Sequence, residues 1–554
     1  MSVRLWRGKA GLGNGPAQRS GGRSLGARTM SGLRWSALSM AAFVLLQLLY
    51  QAVVSRLLSP AAFGLMAVAT LSTQFGKTFA DMGLGQALIQ KAEVTEEDVR
   101  AVFTSSVLMG LSFFGLLWIA APFVADLMNA PDAVLLIRVM GLVLVFTSCG
   151  IASQSLLFRD LRFREQAIRE IGSYVVGFLL VGIGLALAGA GVWSLVAARV
   201  VGSFMGAVLG YVAARHSLRP LLGWRRLRPL YSFGGRTSGS SLATYFSQNL
   251  DTMAVSRYAG AALLGQYSKG YMLTSYPSQL MVRSMARVLF PGFSKLQDDR
   301  ARLRVAYVES YAIAAVLMLA VCAFMAAASE ELVLVLLGDQ WAVAATVLPI
   351  LMLAASLRVI SHFTGIIFQA LGELNKKLVI DCIGVATLAV FLIFARGQEL
   401  WAFALALVGA EAARQVGFTV ALRGALGMPV AASLAALVPG LWMAGGVSAA
   451  VLCGRVMAQQ MGASMWATLV VEAAMALIAF VLLMRIPPLR PIRRHGAHRL
   501  RQAGLLASSR PLSVVLRWVL GKDATSVGAA ATAPGAKNTT DDAALLRRDA
   551  RPRP

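Results

Sequence analysis

The sequence predicts an all-α polytopic membrane protein of about fourteen transmembrane helices, in two pseudo-symmetric six-helix lobes followed by two further helices. Three observations carry that prediction: the composition, the spacing of the apolar runs and an internal repeat. Hydrophobic residues fill 57% of the 554 positions and charged residues only 14%. A soluble domain carries about 25% charge and a smaller apolar share. With a mean hydropathy of +0.67, the chain needs hydrocarbon around most of its surface.

A helix crosses the bilayer core with about 20 apolar residues. Six runs of that kind begin near Ser36, Phe63, Val102, Ala133, Ala167 and Val192. Six more begin near Ser232, Ala262, Val305, Val343, Leu378 and Leu400, and two follow near Val430 and Ala463. The partition gives a basic tail over 1–35, a first lobe over 36–214 and a basic linker over 215–231. A second lobe covers 232–422, two additional helices 423–485, and a polar tail whose composition predicts disorder 486–554.

The loops give the orientation. Arg159, Arg162 and Arg164 follow the fourth run, Arg215 to Arg228 the sixth, Lys295 to Arg304 the eighth, and Lys376 and Lys377 the tenth. The opposite loops carry acids instead: Asp126 and Asp132, then Glu330, Glu331 and Asp339. Lys and Arg are retained in cytoplasmic loops, so both termini are expected to be cytoplasmic. The net charge of +26 is spread over these loops and the tails, which fits anionic headgroups and excludes a nucleic-acid face. The basic N-terminus leads into an apolar run with no small-residue cleavage signal, which reads as a tail and first span. Cys149, Cys322, Cys382 and Cys453 lie inside apolar runs without metal or disulfide spacing, so no metal or other cofactor is expected.

The repeat joins the two lobes. Gln47, Val54-Ser55-Arg56, Ala61 and Gly64 return 201 positions later as Gln248, Val255-Ser256-Arg257, Ala262 and Gly265. Each copy holds an even number of spans, so both insert the same way up, related by an axis along the membrane normal. Duplicated lobes in an apolar chain point to a transporter that rocks two halves about a central site.

Polar side chains mark where that site lies, because hydrocarbon forces them toward protein or a wet cavity. Span one carries Gln47 and Gln51; span two carries Thr70, Thr73, Gln74, Lys77 and Asp81. Span seven carries Thr244, Ser247, Gln248 and Asp251; span eight carries Ser268, Lys269, Tyr271, Ser275, Ser278 and Arg283. Symmetry sets these two polar pairs across a common cleft. Glu411 with Arg414, and Lys377 with Asp381, have the spacing of internal ion pairs. Lys77 and Asp81 are either such a pair or separate groups. Arg56 and Arg257 either snorkel at the outer helix ends or line the cleft mouth. Asp251 has no basic neighbour one helical turn away, so it either couples or gates transport or is hydrogen bonded within the Ser and Gln stripe. Arg358 and His362 share a face of span ten without an acidic partner on that helix.

Catalytic signatures are missing. The sequence holds four histidines, no HExxH, no phosphate-binding loop and no exterior stretch long enough for a catalytic domain. The chain is therefore read as no enzyme, which disfavours a membrane polysaccharide polymerase, and as no ATP-driven pump.

Phe79-Ala80-Asp81-Met82-Gly83-Leu84-Gly85-Gln86, Leu263-Leu264-Gly265-Gln266-Tyr267 and Val288-Leu289-Phe290-Pro291-Gly292-Phe293-Ser294-Lys295 carry a resemblance. Over roughly 36–485 the chain resembles the polysaccharide transporters, or Wzx-type flippases, of the multidrug/oligosaccharidyl-lipid/polysaccharide superfamily, in the colanic-acid exporter branch. The resemblance implies two lobes around a V-shaped cavity and alternating access in the bacterial inner membrane. It implies an undecaprenyl-diphosphate-linked oligosaccharide as substrate, for exopolysaccharide or lipopolysaccharide biosynthesis, with a polymerase and export machinery as partners. Members use cavity cations for the diphosphate, which directs attention to Lys77, Arg236, Lys269 and Arg283. Gln47, Gln51, Gln74, Gln248, Tyr271 and Ser275 are the expected sugar contacts, and Asp81 and Asp251 the coupling groups. The rival reading is a drug or small-cation antiporter, whose cavity would be acidic.

Overall fold

The computed structural model describes residues 42–80, 83–91, 93–221 and 224–485, without the side chains of 79–80, 224–244 and 283–288. Asp81 lies outside the described residues, as do the side chains of Arg236 and Arg283. No strand occurs among the described residues. The first lobe runs through α1 (Ala42–Leu57), α2 (Pro60–Ala80), α3 (Leu84–Gln90), α4 (Glu96–Leu127), α5 (Ala133–Met140) and α6 (Leu142–Arg159). It continues with α7 (Phe163–Tyr174), a π-helical stretch (Val175–Gly182), α8 (Ile183–Leu187) and α9 (Val192–Ala214). The second comprises α10 (Trp224–Ser294), α11 (Arg300–Ala327), α12 (Ser329–Leu337), α13 (Ala342–Ala370), α14 (Leu374–Phe394) and α15 (Leu400–Leu426). Then come α16 (Val430–Ala435), α17 (Val438–Gln460) and α18 (Met465–Leu483).

Ten helical stretches among the described residues are long and apolar enough to cross a membrane. The other segments counted as spans from the sequence are α1, α2 and the two arms of α10. Of these, α1 is apolar but short over its described residues, whereas α2 and the described second arm of α10 carry the polar side chains singled out in the sequence. Helices begin at Ala133, Val192, Leu400 and Val430, at the positions the apolar runs begin.

Local chemistry sets the ends. Thr95 and Asp98 form a capping box on α4: Asp98 N donates to Thr95 Oγ1 at 3.2 Å and Thr95 N to Asp98 Oδ2 at 2.9 Å. Glu96, Glu97 and Asp98 in that first turn also complement the helix dipole. The arms of α10 meet at Gly260, whose φ of 85° a residue with a Cβ rarely adopts.

The lobes share a core at one end of the molecule. Val68 and Ala69 of α2 and Ala121, Ala125 and Met128 at the end of α4 pack in one cluster with Val255, Leu264 and Tyr267 of α10 and Leu400 and Phe403 of α15. These residues lie toward the face with the acidic loops. α17 packs on α11, and α18 on α17. Arg455 of α17 fastens that hairpin to the second lobe: its Nε lies 3.0 Å from Glu472 Oε1, and its Nη2 pairs with Glu331 and donates to Ala327 O at 2.7 Å. Glu472 is fully buried and Glu331 nearly so. Breaking a buried ion cluster of this kind costs more than a surface pair, because the stranded charge has no water to return to.

Candidate functional site

The repeated residues form the closed end of a cavity between the lobes. A Cβ built on Gly64 would fall 1.8 Å from Ala261 O, and one on Gly265 1.9 Å from Pro60 O. Ala261 is the repeat counterpart of Pro60, so the two contacts exchange under the pseudo-twofold. Only glycine lets the start of α2 and the second arm of α10 approach this closely.

The two Val-Ser-Arg copies then reach across to the opposite lobe. Arg56 Nη2 donates to Val335 O at 2.7 Å, and Arg257 Nη1 to Asp126 O at 3.2 Å. Ser256 Oγ donates to Met128 O at 2.9 Å, while Ser55 O accepts from Trp341 Nε1 at 2.9 Å. Both arginines are exposed beyond these bonds. Of the two readings from sequence, snorkelling or cleft mouth, the geometry has them bridging the lobes.

Beneath this seal lies a cavity of about 1200 Å³ that reaches the basic-loop face at Leu374, Asn375 and Lys377. Gln51, Thr70, Gln74, Ser247, Gln248, Ser268, Lys269, Tyr271 and Ser275 all line it, so side chains of both polar pairs meet one space. Gln47 is half-buried and outside the lining. Lys77 is exposed in the last turn of α2, also outside the lining. There it meets water and the negative end of the helix dipole, a favourable position for a cation.

Lys269 sits at the sealed apex. It is 3% exposed, and its Nζ donates to Gln51 Oε1 at 2.5 Å and Ser55 Oγ at 2.7 Å, both in the other lobe. The ring of Phe63 lies 3.6 Å from the ammonium and that of Trp341 5.3 Å. Among the described residues no carboxylate pairs with it, so dipoles and aromatic faces alone hold the charge.

Asp251 is fully buried and is not among the lining side chains. Tyr267, on the other arm of α10, donates to its Oδ2 at 2.7 Å. Sequence spacing missed this partner because it arrives from across the hairpin, 16 positions on.

The second lobe supplies a wall that the repeat does not point to. Arg358 and His362 of α13, Lys377 and Asp381 of α14 and Arg414 of α15 all line the cavity. Arg358 finds its acid on a neighbouring helix: its Nε lies 2.8 Å from Glu411 Oε1, and it also bonds Tyr271. Glu411, 3% exposed, takes Arg414 as well, and Lys377 Nζ lies 2.6 Å from Asp381 Oδ2. Among the described lining residues, Lys269, Arg358, Lys377 and Arg414 face one carboxylate, Asp381. The signal available in sequence was the spacing of Arg358, Ser361, His362, Gly365 and Gln369, which is one helical face and lines the cavity throughout.

Two lobes sealed at one end thus enclose a polar, cationic cavity that opens toward the other. The model of the polysaccharide biosynthesis protein family matches residues 53–346. The chain belongs to that family. It is 32% identical over 320 residues to the succinoglycan biosynthesis transport protein ExoT of Rhizobium meliloti, covering 58% of this chain and 65% of ExoT. The chain thus spans just under two thirds of that relative. With the lipopolysaccharide biosynthesis protein WzxC of Escherichia coli it shares 25% identity over 354 residues, 63% of this chain and 71% of WzxC. The fold matches that of the lipid II flippase MurJ in an inward closed conformation with a TM-score of 0.65, at 12% identity, over 84% of this chain and 99% of MurJ.

Proposed function

We propose that this protein is a flippase that carries an undecaprenyl-diphosphate-linked oligosaccharide from the cytoplasmic to the periplasmic leaflet of the bacterial inner membrane, by alternating access. The observation that carries the reading is the cavity lining of four cations against one carboxylate. A diphosphate leaving water needs charge-assisted donors, and Lys and Arg in a cleft of low dielectric supply them. At an effective dielectric of 20, a charge pair 4 Å apart is worth about 4 kcal/mol, several times its worth in water. An acidic cavity, which a cation antiporter needs, is the opposite of this one.

Size supports the same substrate class. The cavity of about 1200 Å³ exceeds the roughly 300–1,000 Å³ of small-ligand pockets. Its Gln, Ser, Thr and Asn side chains offer both donors and acceptors, as sugar hydroxyls require. The polyprenyl chain needs no polar cavity and stays in the bilayer. In this reading the basic loops and both termini are cytoplasmic, and the structure is the inward-facing state. Both six-helix lobes move, with the 423–485 hairpin carried by the second. The product serves exopolysaccharide or lipopolysaccharide assembly, with a polymerase and export machinery downstream.

The test is reconstitution. Purified protein in liposomes should move the cell's own lipid-linked oligosaccharide between leaflets, and Lys269→Glu should abolish this while the protein stays folded. Folded wild-type protein that leaves every such lipid in its original leaflet would overturn the reading.

A further inference from the structure

The wall of the second lobe carries a ladder of ion pairs that the 201-residue repeat does not generate. From the basic face inward it runs Lys377, Asp381, Arg414, Glu411, Arg358. Lys377 Nζ lies 2.6 Å from Asp381 Oδ2, Arg414 Nη1 3.6 Å from Asp381 Oδ1, and both Arg414 and Arg358 pair with Glu411. Three cations share two carboxylates, so the ladder is positive before anything binds.

Its rungs differ in what they can release. Glu411 lies outside the cavity lining, nearly closed off from solvent and gripped by two guanidinium groups. Asp381 does line the cavity, with a side chain 27% exposed, and it holds Lys377 and Arg414 from the lumen side. The Asp381 to Arg414 contact, at 3.6 Å, is too long for a hydrogen bond, so that guanidinium edge is weakly committed. Lys269, by contrast, spends its ammonium on the other lobe at the sealed end.

We propose that Lys377 and Arg414 form a receiving subsite for a diphosphate at the inner mouth of the cavity, with Asp381 as the counter-ion that the arriving phosphate displaces. The proposal rests on the flippase reading for its ligand, and places headgroup capture ahead of Lys269. Phosphate oxygens take the Lys377 donor that Asp381 otherwise accepts from, and the Arg414 edge that Asp381 approaches without a hydrogen bond. Asp381 therefore weakens binding, which lets the headgroup move on instead of being trapped at the mouth. A lipid diphosphate and a free diphosphate present the same group, and the experiment separates them.

The test measures binding of undecaprenyl diphosphate and of inorganic pyrophosphate to the full chain in detergent. Lys377→Gln and Arg414→Gln should each weaken the lipid about tenfold, and Asp381→Asn should tighten it several-fold, since a competing charge is gone. Lys376→Gln, one residue away, pairing with Glu373 and outside the lining, should leave binding unchanged. If Arg414→Gln does not fold, Arg414→Lys keeps the charge but loses the guanidinium fork and should weaken the lipid about threefold, with unchanged binding removing Arg414 from the subsite. The gain in Asp381→Asn cannot come from misfolding.

Wild-type affinity in Lys377→Gln, together with no gain in Asp381→Asn, overturns the subsite and leaves the flippase reading standing. Pyrophosphate binding with the same variant pattern, but no lipid binding, supports the anion subsite and overturns the flippase reading. Binding of neither probe by folded protein overturns the subsite.

Discussion

Glu411 shows how a single side chain is held by groups that chain spacing pairs only in part. Its partner at i+3, Arg414, is visible in the sequence, and the spacing predicts mutual neutralisation. Arg358, 53 positions away, adds a second guanidinium at 2.8 Å. Truncating the acid strands two cations in a low-dielectric wall. Glu411→Ala should destabilise the protein by about 3–5 kcal/mol, read as a large drop in thermal midpoint in detergent. A change within a few tenths of a kcal/mol would show that water already solvates both arginines. The same limit applies to Asp251 and Lys269. Sequence shows that each is a charge without a helical-turn partner. It does not show that Tyr267 crosses a hairpin to one, or that Gln51 and Ser55 cross between lobes to the other.

Helices were legible where their surfaces face lipid or cap in water. The ten long apolar helices follow from composition and length, and the starts at Ala133, Val192, Leu400 and Val430 fall where the apolar runs begin. The repeat located the helix pair that meets its counterpart, because Gly64 and Gly265 exist to permit that crossing. Each residue lies against the backbone of the opposite lobe, with no flexible side chain to yield. Gly64→Ala should therefore push the lobes apart at the outer end. Labelling of an introduced Ser256→Cys should rise severalfold in that variant, and Gly265→Ala should act alike. Unchanged labelling in both would mean that the contact does not hold the seal.

The α17–α18 hairpin makes a second case at this scale. Arg455→Leu leaves Glu331 and Glu472 buried without their cation, so thermal stability should fall by about 3–5 kcal/mol. Combining it with Glu331→Gln and Glu472→Gln should recover most of that loss, since uncharged groups need no counter-ion. Failure of the triple variant to recover would assign the loss to packing instead. This docking was not legible from the sequence, because Arg455, Glu472 and Glu331 lie on three different helices with no periodic relation.

The whole molecule is asymmetric across the membrane although its lobes are symmetric within it. One end carries the shared apolar core, the glycine crossings and the Val-Ser-Arg bridges. The other opens into a cavity whose described lining cations, Lys269, Arg358, Lys377 and Arg414, all come from the second lobe. The repeat pointed to the exchange of contacts between the lobes and to the polar helix pairs that share the cavity, and with composition and apolar runs to the fold class. The wall of Arg358, Lys377 and Arg414 has no repeat partner, so symmetry argued from the sequence passed over it. On the proposed flippase reading, alternating access requires the sealed end to separate when the cavity closes at the basic face, and the bridges that would then break are those of Arg56, Arg257 and Ser256.

Cross-linking one of those bridges tests this most directly. Met128→Cys and Ser256→Cys would be joined in a chain whose four native cysteines are replaced by alanine, since Ser256 Oγ bonds Met128 O at 2.9 Å. In liposomes the cross-linked protein should stop translocating lipid-linked oligosaccharide and recover on reduction. Translocation by fully cross-linked protein at the rate of the reduced form would contradict the rocking of two lobes about a central cavity.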